Sequence, residues 1–123
     1  MKNAINWFEI PVTDFNRAKK FYETIFTYNM TVLDLGENFK MGFLPADPDG
    51  VGGTIILNPS YKPSADGALL YLNGNPELSV ILSRVVAAGG KVVVEKRQIS
   101  PEFGFMAIFH DTEGNRLALH SNA

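Results

Sequence analysis

Cysteine is absent from this sequence of 123 residues. Its absence excludes disulfide scaffolds, thiolate zinc sites, iron–sulfur clusters and cysteine nucleophiles. Histidine is scarce, with two residues, and no Gly-x-Ser-x-Gly motif is present, so a Ser–His–Asp nucleophile has little support. A chain of this length buries roughly two thirds of its unfolded surface, so it needs neither disulfides nor a structural metal to fold.

Positive charge is not in excess either. Eleven Lys and Arg residues against thirteen Asp and Glu residues give a formal net charge of -2. The basic residues are scattered, so we expect no binding to nucleic acid or to an anionic membrane. No apolar run approaches the ~20 residues of a membrane span, and Met1-Lys2-Asn3-Ala4 lacks the apolar core of a signal peptide. The sequence therefore predicts a cytoplasmic protein of one domain, 1–123.

Hydrophobic periodicity in the first half predicts a strand, a helix and three further strands. Residues 5–12 alternate between apolar and mixed positions, and Asp14 is the expected N-cap of the helix. The helix has apolar residues at helical spacing: Phe15, Ala18, Phe21, Tyr22, Ile25 and Phe26. Strands are predicted at about 30–35, 39–44 and 54–57. The alternating Phe39, Met41 and Phe43 are expected mainly in the core or in a dimer contact.

The same order repeats after residues 58–66, which hold two prolines and little apolar pattern and which we interpret as a linker. Asn75 is expected to cap a second helix, with Pro76 at its first position and Gly89-Gly90 at its end. Strands are predicted at about 68–72, 91–96, 105–110 and 116–120. The chain is thus predicted to contain two βαβββ modules, at about 1–58 and 67–123.

Several segments, in their order along the chain, resemble one known family. They are residues 7–14 with the pairs Arg17-Ala18 and Phe21-Tyr22, the helix end at 87–92 and the hairpin at 109–117. In this order they resemble the vicinal oxygen chelate superfamily, which includes glyoxalase I, extradiol dioxygenases and bleomycin-resistance proteins. The resemblance implies an α+β fold, in which two tandem βαβββ modules form an open, curled mixed sheet with helices outside and a ligand on the concave face.

Enzymes of that superfamily hold one divalent metal with His, Gln or Glu side chains, and the metal polarises vicinal oxygens of the substrate. The corresponding positions here are Trp7, Ile56, Gly67 or Ala68, and Ala118. None of these side chains donates a lone pair to a hard or borderline cation. The resemblance therefore implies a member without the usual metal site and without a cofactor.

Period-2 alternation assigns further residues to the face that holds those positions. This face mixes aromatic and polar side chains, as small-molecule sites do. We expect ligand contacts from Trp7, Glu9, Thr54, Ile56, Tyr71, Asn73, Arg116, Ala118 and His120. Trp7 could stack on a planar ligand or plug the cavity, and both interpretations stay open.

Two functions follow from the resemblance. The first is a metal-independent protein that binds a small organic molecule, of the sequestering kind that bleomycin-resistance proteins represent. The alternative is a metal-dependent lyase, isomerase or dioxygenase in which Glu9 and His120 act as catalytic groups or as relocated ligands of a divalent metal, so enzymatic activity is left open. Glu9 could also simply pair with a cation and keep its strand soluble. Sequestering members pair two chains, which implies a homodimer.

Overall fold

The computed structural model describes residues 3–123 of the chain. Met1 and Lys2 lie outside the described residues. They belong to the first predicted module and to the segment that lacks the apolar core of a signal peptide. The chain divides into two compact units, with the boundary between Pro63 and Ser64 inside the predicted linker. Each unit contains a strand, a helix and three strands in that order.

The bounds of the elements agree with most of the predicted segments. The first unit contains β1 (Trp7–Pro11), α1 (Phe15–Phe26), β2 (Val32–Asp34), β3 (Lys40–Phe43) and β4 (Gly52–Leu57). The second contains β5 (Leu70–Asn73), α2 (Ser79–Val85), β6 (Lys91–Ser100), β7 (Gly104–His110) and β8 (Arg116–Ser121). The longest difference is β6, which continues four residues beyond the predicted end at 96.

Both units have the same sheet topology. The strand orders are β1-β4-β3-β2 and β5-β8-β7-β6. The first and last strands of each unit are parallel neighbours, and the other pairs are antiparallel. A parallel pair needs a long crossover, which the helix and the two intervening strands supply. The predicted α+β fold with two βαβββ modules is confirmed.

The helix α1 forms and packs as the sequence predicts. The Asp14 carboxylate accepts the backbone N–H of Arg17 at 3.0 Å, which satisfies one of the free donors of the first turn. The helix α1 packs against β4. Its apolar stripe is buried and consists of Phe15, Ala18, Phe21, Tyr22 and Ile25. Each large side chain in this stripe contributes roughly 1.5–3 kcal/mol of hydrophobic stabilisation. Neither helix within residues 3–123 is long and apolar enough to span a membrane.

The second helix begins later than predicted. Asn75 is not its N-cap, because α2 begins at Ser79 and the Asn75 Oδ1 atom accepts the N–H of Asn122 at 2.8 Å. The Glu77 carboxylate instead accepts the N–H of Ser79 at 3.0 Å. The prediction was wrong because a partner distant in sequence occupies the side chain that local capping would use. The helix ends at Val85, and turns continue from it to Gly89, close to the predicted stop.

The hairpin between β7 and β8 is fixed by two buried polar side chains. Asp111 Oδ1 accepts the N–H groups of Glu113 and Asn115 at 2.8 and 2.9 Å, and its Oδ2 accepts the Asn115 amide at 3.0 Å. The amide oxygen of Asn115 accepts the N–H of Ser64 at 3.0 Å. The turn therefore sets the start of β8 and attaches the segment that leads into β5.

Glu77 provides a pH-dependent contact between α2 and β6. Its Oε1 atom lies 2.6 Å from Lys96 Nζ, and this hydrogen bond, with that from Ser79, lowers the pKa of Glu77 from 4.5 to about 2. Because the folded-state pKa is depressed, the carboxylate stabilises the protein above pH 4.5, and this contribution is lost as the pH falls to about 2.

Glu77→Gln is therefore expected to lower the free energy of unfolding at neutral pH in urea titrations. The difference from the unmodified protein should shrink between pH 4.5 and about 2. It should also shrink with added salt, because both side chains are partly exposed. Glu95→Gln, at the exposed residue next to Lys96, is the matched control and should show no such dependence. A difference that is the same at every pH would contradict the assignment.

Candidate functional site

The first sheet has one face on which aromatic side chains from two strands lie together. Residues that pair across neighbouring strands project to the same face. Glu9 pairs with Thr54 and Thr54 with Phe43, and Trp7 pairs with Gly52 beside this row. We call this surface the aromatic face, and it consists of Trp7, Glu9, Pro11, Met41, Phe43, Gly52, Thr54 and Ile56.

Trp7 dominates the aromatic face. Its indole is 44% exposed and lies beside Gly52, where a Cβ atom would come within 2.8 Å of the indole Cζ3 atom. The indole packs edge-on against Phe43, with ring centroids 6.2 Å apart and planes at 70°. Part of the indole surface is therefore exposed, while its edge is packed against the first sheet.

Phe43 is held in place by a residue of the segment that follows α1. The Tyr28 hydroxyl donates a hydrogen bond to the Phe43 carbonyl oxygen at 2.9 Å. Burial raises the pKa of Tyr28, and the charge of Glu23 acts in the same direction, so the hydroxyl stays a donor. The backbone N–H of Met30 and the Lys19 ammonium lower the pKa of Glu23, which keeps that carboxylate charged. The Tyr28 contact therefore fixes the strand that supports the indole.

Thr54 is a buried member of the aromatic face. The residue is fully buried, and its Oγ1 atom has no hydrogen-bond partner among the described residues. Most buried hydroxyls in folded proteins are hydrogen-bonded, and an unpaired one costs about 1–3 kcal/mol. Glu9, in the same row, is exposed, whereas Ile56 is buried. Trp7 and Glu9 are therefore the exposed residues among the predicted contacts of this face, and Thr54 and Ile56 are its buried ones.

The second sheet has an equivalent face of different chemistry. Tyr71 pairs with Ala118 and Asn73 with His120, while Arg116 belongs to the same face one row away. We call this surface the polar face, and it consists of Tyr71, Asn73, Lys91, Val94, Arg97, Met106, Ile108, His110, Arg116, Ala118 and His120. Most of its outer side chains are polar or charged.

The polar face has both free and occupied side chains. Tyr71 is 51% exposed, and Ala118 beside it is fully buried. The Asn73 Oδ1 atom accepts the N–H of Asn75 at 2.9 Å. The Nε2 atom of His120 donates to the Phe103 carbonyl oxygen at 2.6 Å, so this nitrogen carries a proton. Tyr71 and Asn73 are thus the exposed residues among the predicted ligand contacts in this sheet.

The two sets of predicted residues fall within separate sheets. Trp7, Glu9, Thr54 and Ile56 share the aromatic face, and Tyr71, Asn73, Arg116, Ala118 and His120 share the polar face. Phe43, which the sequence assigns mainly to a core or dimer contact, lies against Trp7. Its pairing with Thr54 is the signal that connects it to the aromatic face, and that signal depends on strand register.

The residues at the family's metal-ligand positions do not fit a metal ion. These positions offer an indole, alkyl groups and a glycine, and they are Trp7, Ile56, Gly67, Ala68 and Ala118. Of these, Ile56 and Ala118 are buried. Within residues 3–123, no group of three or more His, Asp or Glu residues is arranged to hold a metal. The relocated ligands considered above belong to different units, Glu9 to the first and His120 to the second.

Comparisons with known proteins agree with this architecture. A family model described as Glyoxalase/Bleomycin resistance protein/Dioxygenase superfamily matches residues 4–119. A glyoxylase-like domain-containing protein of Didymella fabae is 30% identical over 121 residues, which cover 97% of this chain and 94% of that protein.

Two solved structures have a similar fold. A glyoxalase/bleomycin resistance protein from Albidiferax ferrireducens T118 is 15% identical, with a TM-score of 0.73 over 98% of this chain and 100% of that one. TnmS3, an antibiotic binding protein from Streptomyces sp. CB03234, is 20% identical, with a TM-score of 0.68 over 100% of this chain and 99% of its own. At these identities the likeness concerns the fold.

The unpaired Thr54 hydroxyl generates a stability prediction. Thr54→Val keeps the shape and removes the buried hydroxyl, so it should raise the free energy of unfolding by about 1 kcal/mol in urea titrations. Thr24→Val is the matched control at an exposed helix position, and it should not stabilise the protein. Destabilisation by Thr54→Val would mean that the hydroxyl has a hydrogen-bond partner in solution.

Proposed function

Because the chain belongs to the glyoxalase/bleomycin resistance protein/dioxygenase superfamily, we propose that it binds a small organic molecule without the metal site usual in that superfamily. One observation carries the proposal. The indole of Trp7, at a position where the superfamily's enzymes have a metal ligand, is half exposed and supported by Phe43 and Gly52. An aromatic surface of this kind suits a planar ligand better than it suits a cation with oxygen or nitrogen ligands.

Within the first unit, the aromatic face would be an apolar binding surface. A planar group stacked on Trp7 gains about 0.5–1.5 kcal/mol beyond the area that it buries. Glu9, exposed in the neighbouring row, would contact a donor group of the ligand. Thr54 and Ile56 belong to the same face, and the unpaired hydroxyl of Thr54 would hydrogen-bond with a ligand that reached it.

The polar face is a second candidate binding surface, within the second unit, and it offers polar contacts. Tyr71 offers an exposed hydroxyl, and Asn73 and Arg116 offer further donors. His120 would contact the ligand through the side of its ring that does not bond with Phe103. Ala118, at a position where an enzyme of the superfamily has a metal ligand, offers a methyl group and no donor atom.

A structural neighbour supports this class of function. TnmS3 is described as an antibiotic binding protein, and its chain and this one cover each other almost completely. Small-molecule binding by this chain is a proposal from that likeness in fold and from the side chains of the two faces. We also propose that the protein is cytoplasmic, as expected from the sequence.

The competing hypothesis is an enzyme with a divalent metal held by Glu9 and His120. The hydrogen bond from His120 Nε2 to Phe103 would have to break before that nitrogen could bind a metal. The binding experiment must therefore distinguish metal-dependent from metal-independent binding.

We also propose a homodimer. Four large apolar side chains around β2 are exposed, on both sides of the strand, and we call them the β2 patch: Val32, Leu33, Leu35 and Phe39. The strand β2 is also an outer strand of its sheet. Exposed apolar clusters of this kind are typical of contacts between protein chains, and a second copy is the partner that the resemblance implies.

The binding proposal predicts that Trp7 reports on ligand. The protein has a single tryptophan, so a screen of planar aromatic compounds can follow its fluorescence without interference. For a compound that binds, Trp7→Ala should weaken the affinity about tenfold or more in calorimetric titrations, since it removes stacking and buried area. Tyr61→Ala is the matched control, because Tyr61 has the same exposed fraction of 44%.

The same titrations test the metal alternative. Metal-stripped protein should bind the compound as well as protein incubated with Mg, Mn, Fe(II), Co, Ni or Zn. If one ion selectively raises the melting temperature and Glu9→Gln removes that effect, the relocated metal site is present and the metal-independent proposal is wrong. Failure of every planar compound to change Trp7 fluorescence would also contradict the proposal.

The homodimer predicts a sedimenting species of twice 13.6 kDa at micromolar concentration. Leu35→Lys should shift the equilibrium to monomer, because it puts a charge into the β2 patch. Val86→Lys is the matched control at an exposed apolar position of the second unit. A species of 13.6 kDa alone would contradict the dimer.

A further inference from the structure

Three basic side chains lie side by side on the polar face. Lys91 on β6 pairs with His110 on β7, and His110 pairs with Arg116 on β8. Their side chains therefore project from three neighbouring strands to the same face, at one end of the sheet. We call these three residues the basic row.

The basic row has no acidic partner. Among the described residues, Lys91, His110 and Arg116 form no salt bridge, and no Asp or Glu belongs to the paired positions of the polar face. The carboxylate of Asp111, the residue after His110, bonds within its own turn. The positive charge of the row is thus not neutralised by the sheet that carries it.

Arg116 adds an independent observation. Its guanidinium donates one hydrogen bond, from Nη2 to the Gly67 carbonyl oxygen at 2.9 Å. Its Nε atom is buried and has no acceptor among the described residues. A buried donor of a charged group without an acceptor is costly, and an anionic oxygen is its strongest partner. At Arg116, therefore, one buried N–H donor lacks a hydrogen-bond acceptor, and the positive charge lacks a negative partner.

A second cation lies on the same face. Arg97 pairs with Met106, and Met106 pairs with His120, so Arg97 and His120 belong to one row toward the other end of the face. The aromatic face, in contrast, has Glu9 as the charged residue among its paired positions. The two faces thus differ in sign of charge as well as in aromatic content.

Protection of an outer strand would explain part of this pattern, because lysine on an edge strand discourages pairing with other chains. It explains Lys91, which is exposed on the outer strand β6. It does not explain Arg116 or His110, which belong to inner strands and are partly buried.

We infer that the basic row binds an anionic oxygen group, a carboxylate or a phosphate, of a small organic ligand. The inference rests on the proposed binding function and specifies the class of ligand. Lys91 and His110 would contact the anion directly, and Arg116 would contact it with the donors that Gly67 leaves free. A carboxylate and a phosphate offer the same anionic oxygens, so probes of both kinds are needed.

The test compares charged and neutral probes of nearly the same shape. Benzoate, benzamide and inorganic phosphate are titrated into the protein at low ionic strength, and backbone amide chemical shifts are recorded. Benzoate and phosphate should shift the amides of Lys91, His110 and Arg116 more than those of other basic residues. Benzamide should not, because it lacks the charge.

Lys91→Gln should weaken benzoate and phosphate binding about threefold to tenfold, since it removes one charged partner that is partly solvated. His110→Gln, on an inner strand, is the second variant and should also weaken both. Lys20→Gln, at an exposed position of α1, is the matched control with the same change of charge and should have no effect.

The outcomes separate the two proposals. If benzamide and benzoate bind equally and shift Trp7, the binding function holds and the anionic ligand class is wrong. If neither benzoate nor phosphate shifts the basic row, or if Lys20→Gln weakens binding as much as Lys91→Gln, the basic row is not an anion site. If phosphate alone shifts the row, the anion site stands and aromatic recognition must be sought with other probes.

Discussion

The parallel pairing of the first and last strands in each unit is the constraint on which the candidate site depends. It brings β1 beside β4 and β5 beside β8, and so it decides which side chains share a face. A slip of one residue would turn every side chain to the opposite face. Gly52 and Gly53 oppose such a slip in the first sheet, because Trp7 and Phe8 lie close against them from opposite faces. Gly52 and Gly53 thus help to fix the strand register, and Gly52 also leaves room for the indole of Trp7.

The two units share one topology but have different surface chemistry. The aromatic face exposes Trp7 beside Phe43, whereas the polar face has Arg116 and other basic residues in equivalent strands. A repeated backbone can diverge in this way because alternate residues of a strand face opposite sides. One set can keep the core with the helix while the other set changes.

The segments that resemble the superfamily are largely structural in this chain. Asp14 caps α1, and Asp111 and Asn115 close the hairpin before β8 and attach Ser64. These contacts hold the strands from which a site is built and leave its chemistry undefined. This explains how a chain can belong to the family while lacking side chains able to hold the metal at Trp7 and Ala118.

The sequence alone determined the order of elements, because the spacing of apolar residues and the caps and turns are local properties. It also separated Trp7 and Glu9 from the buried Ile10, since alternation needs no partner strand. It failed at Asn75, whose side chain bonds with a residue beyond β8. Only the tertiary structure decided that Phe43 supports Trp7, that Thr54 lacks a partner and that the basic row forms. Each of these depends on strand register and burial, which arise when residues distant in sequence pack together.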